Sequence, residues 1–300
     1  MTNSSKVSAH PEHFVSNLSN EVAIYLFKKS IRHIEFAISS YCNRRCIYCP
    51  NNVVDRHSEH IKMNDNLFYN ILSQLKSIDY SGKITVHRYN EPLSDVSYAL
   101  LRLVKIRSYL PNAKIHLFTN GDYLDTELLY TLRDIGVNVI IATIHYDNAN
   151  IKFDDLKILL LNKVNKLSVD VNYVEQECSF HAVANFGDMI LNYQVIDFLN
   201  KKENGAIYGF DRGGYLNNDG FMRTERCIYP FSSMHIEYDG TLLPCCNIHP
   251  DLELHKQYIL GKLDARSNIF EEWANKNYAH FRKMAFECID KLPLCKHCEM

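Results

Sequence analysis

Six alternations of a short apolar strand with an amphipathic helix begin near residue 31 and predict an α/β fold built on a parallel sheet. A glycine- and asparagine-rich connector, GGYLNNDG at 213–220, interrupts that pattern. Beyond it fall six of the ten cysteines, at 227, 245, 246, 288, 295 and 298. The expected architecture is a partial (β/α)6 TIM-like barrel at 31–215 after an extension at 1–30, with a small cysteine-rich α+β domain at 216–300.

The elements follow in order. HIEFAIS (33–39) reads as a strand, DNLFYNILSQLKSI (65–78) as a helix and GKITVHRY (82–89) as a strand. SDVSYALLRLVKIRSYL (94–110) is helical, with a serine start signal and a proline just past its end. AKIHLFTNG (113–121) is a strand ending in a turn, and DTELLYTLRDIG (125–136) a helix closed by Gly136. VNVIIATIHYD (137–147) is a strand, DDLKILLLNKVNKL (154–167) a helix and SVDVNYVEQ (168–176) the fifth strand. FGDMILNYQVIDFLNKK (186–202) reads as a helix and GAIYGFDR (205–212) as the sixth strand. Right-handed crossovers curl such units into an open barrel, with ligands at the C-terminal edge of the strands. Past the connector, MHIEYDGTLLPCC (234–246) is a hairpin around Asp239-Gly240, and 268–289 one helix carrying Trp273.

Composition narrows the function. With 300 residues, 46% of them hydrophobic, the chain buries a sizeable core. A net charge of −2 gives no basic field for nucleic acid. Fourteen histidines are scattered without metalloprotease spacing. The N-terminus lacks the pattern of a signal peptide, and no apolar run approaches the roughly 18 residues of a membrane span. The expectation is a soluble cytoplasmic protein, in which cysteines serve as metal ligands or reactive groups before disulfides.

The stretch SSYCNRRCIYCPNN (39–52) sets Cys42, Cys46 and Cys49 in a C-x3-C-x2-C spacing just after the first strand. A zinc site takes four ligands, usually in paired knuckles, and a redox pair needs two thiols. Three thiolates wrap three corners of a 4Fe–4S cube and leave the fourth iron open. A disulfide or a chance cluster is the plain alternative.

This spacing, with Tyr48 before the last cysteine, resembles the signature of radical S-adenosylmethionine (SAM) enzymes. The resemblance covers about residues 31–212. It implies that SAM binds the open iron and is reductively cleaved to a 5′-deoxyadenosyl radical, which abstracts a substrate hydrogen atom. It also implies a low-potential electron donor such as flavodoxin or ferredoxin. HRYNEPLSD (87–95) stands where the family carries a Gly-Gly-Glu-Pro-like segment, with Tyr89-Asn90 replacing the glycines. The resemblance gives Glu91 and Pro92 to the SAM amino group, and Thr119 and Asn120 of FTNG to the ribose. Glu91-Pro92 and Asn120-Gly121 are also ordinary turn sequences. His145 and Tyr146 end the fourth strand at the same mouth, where a histidine is more often simply hydrogen-bonded. DRGGYLNN (211–218) joins the two domains, and its Asp211, Arg212 and Tyr215 are candidate pocket contacts, Arg212 equally a surface tie.

Cys227, Cys245, Cys295 and Cys298 resemble the SPASM/twitch extension of this family, which implies an auxiliary 4Fe–4S cluster. A zinc ribbon is the rival reading of these four. Strand alternation turns Cys246 away from its neighbour, and Cys288 is a swapped ligand or core. Cys178 is a buried thiol, or the hydrogen-atom donor an epimerase requires. Size and cysteine plan resemble the small twitch-bearing alcohol dehydrogenases that act on aminocyclitols and aminoglycosides. The expected function is therefore oxidation of an alcohol on a small sugar- or cyclitol-like substrate, the auxiliary cluster accepting an electron. The alternatives are a peptide-modifying radical SAM enzyme, taking a peptide substrate, and a non-catalytic iron–sulfur or zinc scaffold or redox protein.

Overall fold

The computed structural model describes residues 9–200, 206–207 and 210–299. A helix, α1 (Asn20–Ser30), leads into β1 (His33–Phe36), and α2 (Asp65–Ser77) into β2 (Lys83–Thr85). Then come α3 (Val96–Tyr109), β3 (Lys114–Thr119), α4 (Thr126–Ile135), β4 (Val139–Ile144) and α5 (Phe153–Leu167). Three strands follow: β5 (Asn172–Gln176), β6 (Ser179–Phe186) and β7 (Met189–Ile196). The C-terminal part holds α6 (Tyr229–Ser232), β8 (Ser233–Ile236), β9 (Thr241–Leu243), β10 (Gly261–Lys262), α7 (Ile269–Trp273) and α8 (Lys276–Phe286).

All ten strands form one sheet, in the order β10-β9-β8-β1-β2-β3-β4-β7-β6-β5. The run from β8 to β7 is parallel and its two flanks are antiparallel. Helices follow where sequence periodicity put them. Asn64 and Asp125 cap α2 and α4 at their N-termini, and Gly136, at φ 91°, closes α4.

The fifth unit differs from the expectation. Residues 186–202 do not form a helix; β6 and β7 are a hairpin joined by Gly187-Asp188, with Phe186 opposite Met189. Gly187 takes φ 63°, the left-handed conformation such two-residue turns require. Met189, Leu191, Tyr193 and Val195 alternate inward as buried residues, a period of two that outweighs the helical spacing. The fifth parallel position belongs to β7 beside β4, and β5 is an exposed edge strand. Of the strand expected at 205–212, residues 205, 208 and 209 lie outside those described; the described ones hold a single bridge residue at Ile207 and enter a turn at Arg212.

The sixth parallel position is filled from the other side. Strand β8 pairs with β1, so the C-terminal segment shares the sheet of the core. Its hairpin turns at Gly240, φ 88°, as the sequence suggested. The helix expected at 268–289 is split, because the Asn275 side chain accepts from the Asn277 and Tyr278 N–H groups and starts α8 afresh. The extension at 1–30 contributes α1, whose Phe27 ring packs edge-on against Phe270 and Trp273. Among the described residues no helix is long and apolar enough to cross a membrane.

Candidate active site and cysteine loops

The three cysteines lie on the loop that leaves the C-terminal end of β1. Its turn is closed by the Cys49 N–H donating to the Cys46 carbonyl at 2.9 Å, and the Cys42 N–H donates to the Arg56 carbonyl. The His57 ring donates to the Cys42 carbonyl at 2.6 Å. Arg44 forks onto Asp122 at 2.6 and 2.5 Å and reaches the His145 carbonyl at 2.8 Å. The loop is thus pinned to the ends of β3 and β4 by charge-assisted bonds.

Glu91 ties in the second strand. Its N–H donates to the Tyr41 carbonyl, and its carboxylate accepts from Leu93 N–H, the Thr119 hydroxyl and Asn120 N–H at 2.9, 2.7 and 2.7 Å. Burial pushes its carboxyl up to about 7, although the Asn120, Thr119 and Leu93 donors work against the rise. Asn120 also donates to Asn43 at 2.7 Å. At Gly121 (φ 73°) an added Cβ would run into the Tyr193 ring, so glycine is required on two counts.

These segments converge on one cavity of about 750 Å³. Cys42, Cys46, Cys49, Glu91, Thr119 and Asn120 line its mouth, together with His145. The Tyr48 phenol meets His145 Nδ1 at 2.7 Å and stacks on Phe198 at 4.4 Å. Burial, with Arg44 beside it, lowers His145 to about 3, so it stands as a neutral acceptor. Arg212 also lines the cavity and is not a surface tie. Pro92 opens the short turn Pro92–Asp95 and does not face the cavity. Asp211 and Tyr215 lie outside the cavity wall too; Asp211 accepts from Gly213 and Gly214 N–H and from Asn247, holding the connector's turn.

Cys178 is a correction. It sits in the turn between β5 and β6, outside the cavity wall, with Asn200 donating to its sulfur at 3.6 Å. A hydrogen-atom donor has to face the substrate, and this thiol does not.

Cys227, Cys245, Cys295 and Cys298 line a second, smaller cavity with Tyr229, Pro230, Phe281 and Leu294. Arg223 braces it by donating to the Cys298 carbonyl at 3.0 Å, and Asn247 donates to the Cys298 sulfur at 3.5 Å. Cys246 turns the other way and lines the central cavity, so adjacent residues face the two cavities. Cys288 is exposed and belongs to neither.

None of the ten cysteines is in a disulfide. Burial pushes the Cys42, Cys46 and Cys295 thiols up to about 12, and raises Cys49, Cys227 and Cys245 as well. Such thiols give up their protons only to a strongly positive partner. Among the described residues no three Cys, His, Asp or Glu side chains close on one point as the ligands of a single metal ion do. A cube spreads its thiolates farther apart, one to each iron, and an all-sulfur donor set is the chemistry it takes.

The sequence agrees with two family descriptions: the radical SAM superfamily over residues 36–181, and an iron–sulfur cluster-binding domain, SPASM, over 227–299. Residues 36–181 thus form a radical SAM domain and residues 227–299 a SPASM domain. The chain is 28% identical over 268 residues to an S-adenosyl-L-methionine-dependent 2-deoxy-scyllo-inosamine dehydrogenase of Niallia circulans, covering 88% of this chain and 91% of the relative. The crystal structure of BtrN in complex with AdoMet and 2-DOIA superposes with a TM-score of 0.62 at 27% identity, over 90% of this chain and 93% of that one. Selenomethionine BtrN in an open conformation shares the fold at a TM-score of 0.58 and 24% identity, over 90% and 92% of the two chains. The radical SAM oxidoreductase expected from the cysteine spacing is thus the enzyme class found, with iron–sulfur clusters and SAM as its cofactors.

The sequence reading missed much of the cavity. His33, Glu35, Lys83, His87, Arg88 and His235 line its depth. For all but Arg88 the signal was the alternation in HIEF, KITVH and SMHI, whose polar members turn inward.

Proposed function

We propose that this enzyme oxidises a secondary alcohol of a small polyhydroxylated or aminated ring, removing a hydrogen atom at carbon and passing the second electron to an auxiliary cluster. The observation that carries the reading is the back-to-back arrangement of Cys245 and Cys246. Adjacent residues of one segment, with Tyr229 common to both walls, thus line the substrate cavity and a four-thiol site. An oxidation that begins with a hydrogen atom needs an electron acceptor that close; an isomerisation does not.

In this reading Cys42, Cys46 and Cys49 hold the cluster that binds SAM, and Cys227, Cys245, Cys295 and Cys298 hold the auxiliary one. When bound, SAM and its cluster supply the one-electron chemistry that removes a substrate hydrogen atom. The protein's part is positional. Glu91, with one acceptor site left after three donors, takes the SAM ammonium; Thr119 and Asn120 hold Glu91 in place. Tyr48, Phe198 and His145 form an aromatic wall that keeps water from the mouth. The extension (1–30), core (31–215) and cysteine-rich segment (216–300) divide the work as brace, SAM site and electron acceptor. A low-potential flavodoxin or ferredoxin is the proposed donor, and the reduced thiols fit a cytoplasmic setting.

The relative's substrate is the first probe. Enzyme reconstituted anaerobically with iron and sulfide, then given SAM, dithionite and 2-deoxy-scyllo-inosamine, should yield 5′-deoxyadenosine and a product lighter by two hydrogens. 5′-Deoxyadenosine formed without that product, from this and related cyclitols, refutes the alcohol-oxidation reading.

A further inference from the structure

The interior of a β/α barrel is usually packed with layers of branched apolar side chains. Here the inward rows of three adjacent strands are polar. In the first layer His33 of β1 lies beside Lys83 of β2 and Ser233 of β8. In the second, Glu35 lies beside Thr85 and His235. The outward residues Ile34, Phe36, Ile84, Met234 and Ile236 are all fully buried. The alternation is as strict as in any sheet with two different faces, but the polar face is the one enclosed.

The cavity follows these layers from the mouth down to Arg32 and Ser232 at the other end of β1, where Arg32 is exposed and His33 and Lys83 are partly so. Three imidazoles besides that of His145 line it. His87, near the mouth, stacks on Phe118 at 4.5 Å, and its buried Nδ1 has no hydrogen-bond partner among the described residues. His235 Nδ1 stands 3.3 Å from Glu35 Oε2 without hydrogen-bond alignment, and its Nε2 is 2.8 Å from the Ser233 hydroxyl. The His33 ring centroid is 6.1 Å from that of His235, and its Nε2 meets the Thr85 hydroxyl at 3.0 Å.

This bears on a balance the proposed oxidation leaves open. When the carbinol carbon has lost a hydrogen atom, the O–H bond must break with its electron pair staying on oxygen. The carbonyl π bond then forms as one electron leaves for the oxidised auxiliary iron–sulfur cluster. One proton remains, in a cavity whose mouth is closed by the aromatic wall. We propose that the histidine-lined shaft carries this proton away, His87 accepting it at the mouth and His235 and His33 passing it, through water in the polar cavity, to the open base of the barrel. The inference rests on the alcohol-oxidation reading.

The charges facing these rings suit the task. Burial lowers His87 to about 4 and lowers His33 and His235, so all three are neutral and ready to accept at neutral pH. Arg88, Lys83 and Arg212 face His87 and keep a proton from resting there; Glu35 faces His87, His33 and His235 and makes the transient charge tolerable. Burial works against the charge on Glu35, but the carboxyl is held well below its usual range, with the Arg88 guanidinium 3.4 Å away as its permanent positive neighbour.

The test uses the holoenzyme with 2-deoxy-scyllo-inosamine, counting ketone formed per 5′-deoxyadenosine. His87→Gln should lower that ratio about a hundredfold, with recovery as the pH is raised from about 7 to about 9, where hydroxide replaces the missing base. His33→Gln, remote from the mouth, should lower it in the same pH-dependent way. A purely structural defect would instead reduce bound iron and would not respond to pH. Independently of turnover, histidine 15N spectra of the oxidised holoenzyme should show, for the signals lost in the two variants, neutral rings at about pH 7. Protonated rings there, or wild-type ratios in both variants across the pH range, overturn the shaft. A wild-type enzyme that makes 5′-deoxyadenosine but no ketone overturns the oxidation reading itself, and the shaft with it.

Discussion

Glu91 illustrates what one residue contributes and how far it can be read in advance. The sequence marks it by the Pro that follows and by its place after the second strand. What the sequence could not supply is that Thr119 and Asn120 bind the carboxylate itself, so that one residue organises both turns. A buried carboxyl held at about 7 is poorly matched to its surroundings until a cation arrives. Its folded pKa lies above the unfolded value of about 4.3, so the unfolded chain loses its proton first and this group's contribution to stability falls as pH rises through about 7. A bound ammonium reverses the preference. SAM affinity, measured by calorimetry on the reconstituted enzyme, should therefore weaken as the pH drops below about 7. Glu91→Gln should bind SAM at least about tenfold more weakly, with that pH dependence gone.

At the scale of elements, the chain was legible wherever one period dominated. Helices α2 to α5 appear within a residue or two of their apolar spacing, because caps such as Asn64 and Asp125 agree with it. The error at 186–202 arose because Met189, Ile190, Tyr193 and Ile196 also fit a helical stripe. The Gly187-Asp188 turn is the local signal that decides for a hairpin. The break between α7 and α8 was equally visible as Asn275 and was overridden by the length of the apolar pattern. That cap gives a direct check. Asn275→Ala removes the acceptor for two N–H groups and should cost about 1 kcal/mol, lowering Tm by about 2–4 °C in a scanning calorimeter. Asn275→Asp keeps the acceptor but turns the amide that donates to the Leu260 carbonyl and the Glu272 carboxylate into a second oxygen, so it should recover only part of the loss.

Over the whole molecule the sequence suggested a core with an appendage, whereas the sheet runs through both. Strand β8 pairs with β1, and a buried charge network crosses the same seam. Arg88 meets Glu237 at 2.7 Å and Glu35 at 3.4 Å, while Arg56, from the segment after the cysteine loop, meets Glu237 at 3.4 Å and Asp251 at 2.8 Å. No spacing rule announces such a network, since its members are far apart in the chain and charged residues are usually solvated. Its physical consequence is that the two halves stabilise each other. Breaking a buried ion pair from one side leaves the partner's charge stranded, so Glu237→Gln should destabilise the protein by about 3–5 kcal/mol. The drop should appear in chemical denaturation as a lower midpoint with an unchanged slope.

Cutting the chain is the more demanding check of the same idea. A fragment ending at residue 226 keeps the three-cysteine loop and β1 to β7, all that an independent barrel would need. It loses the strand that covers the edge of β1, the Glu237 partner of Arg88 and Arg56, and the aromatic surface on which α1 rests. An uncovered edge strand beside a stranded arginine favours aggregation over folding. The fragment should therefore be insoluble, or lack a cooperative transition by circular dichroism, and should not take up iron at its three cysteines. A soluble fragment that melts cooperatively and binds about four irons would mean that the barrel stands alone, with the shared sheet a convenience of packing only.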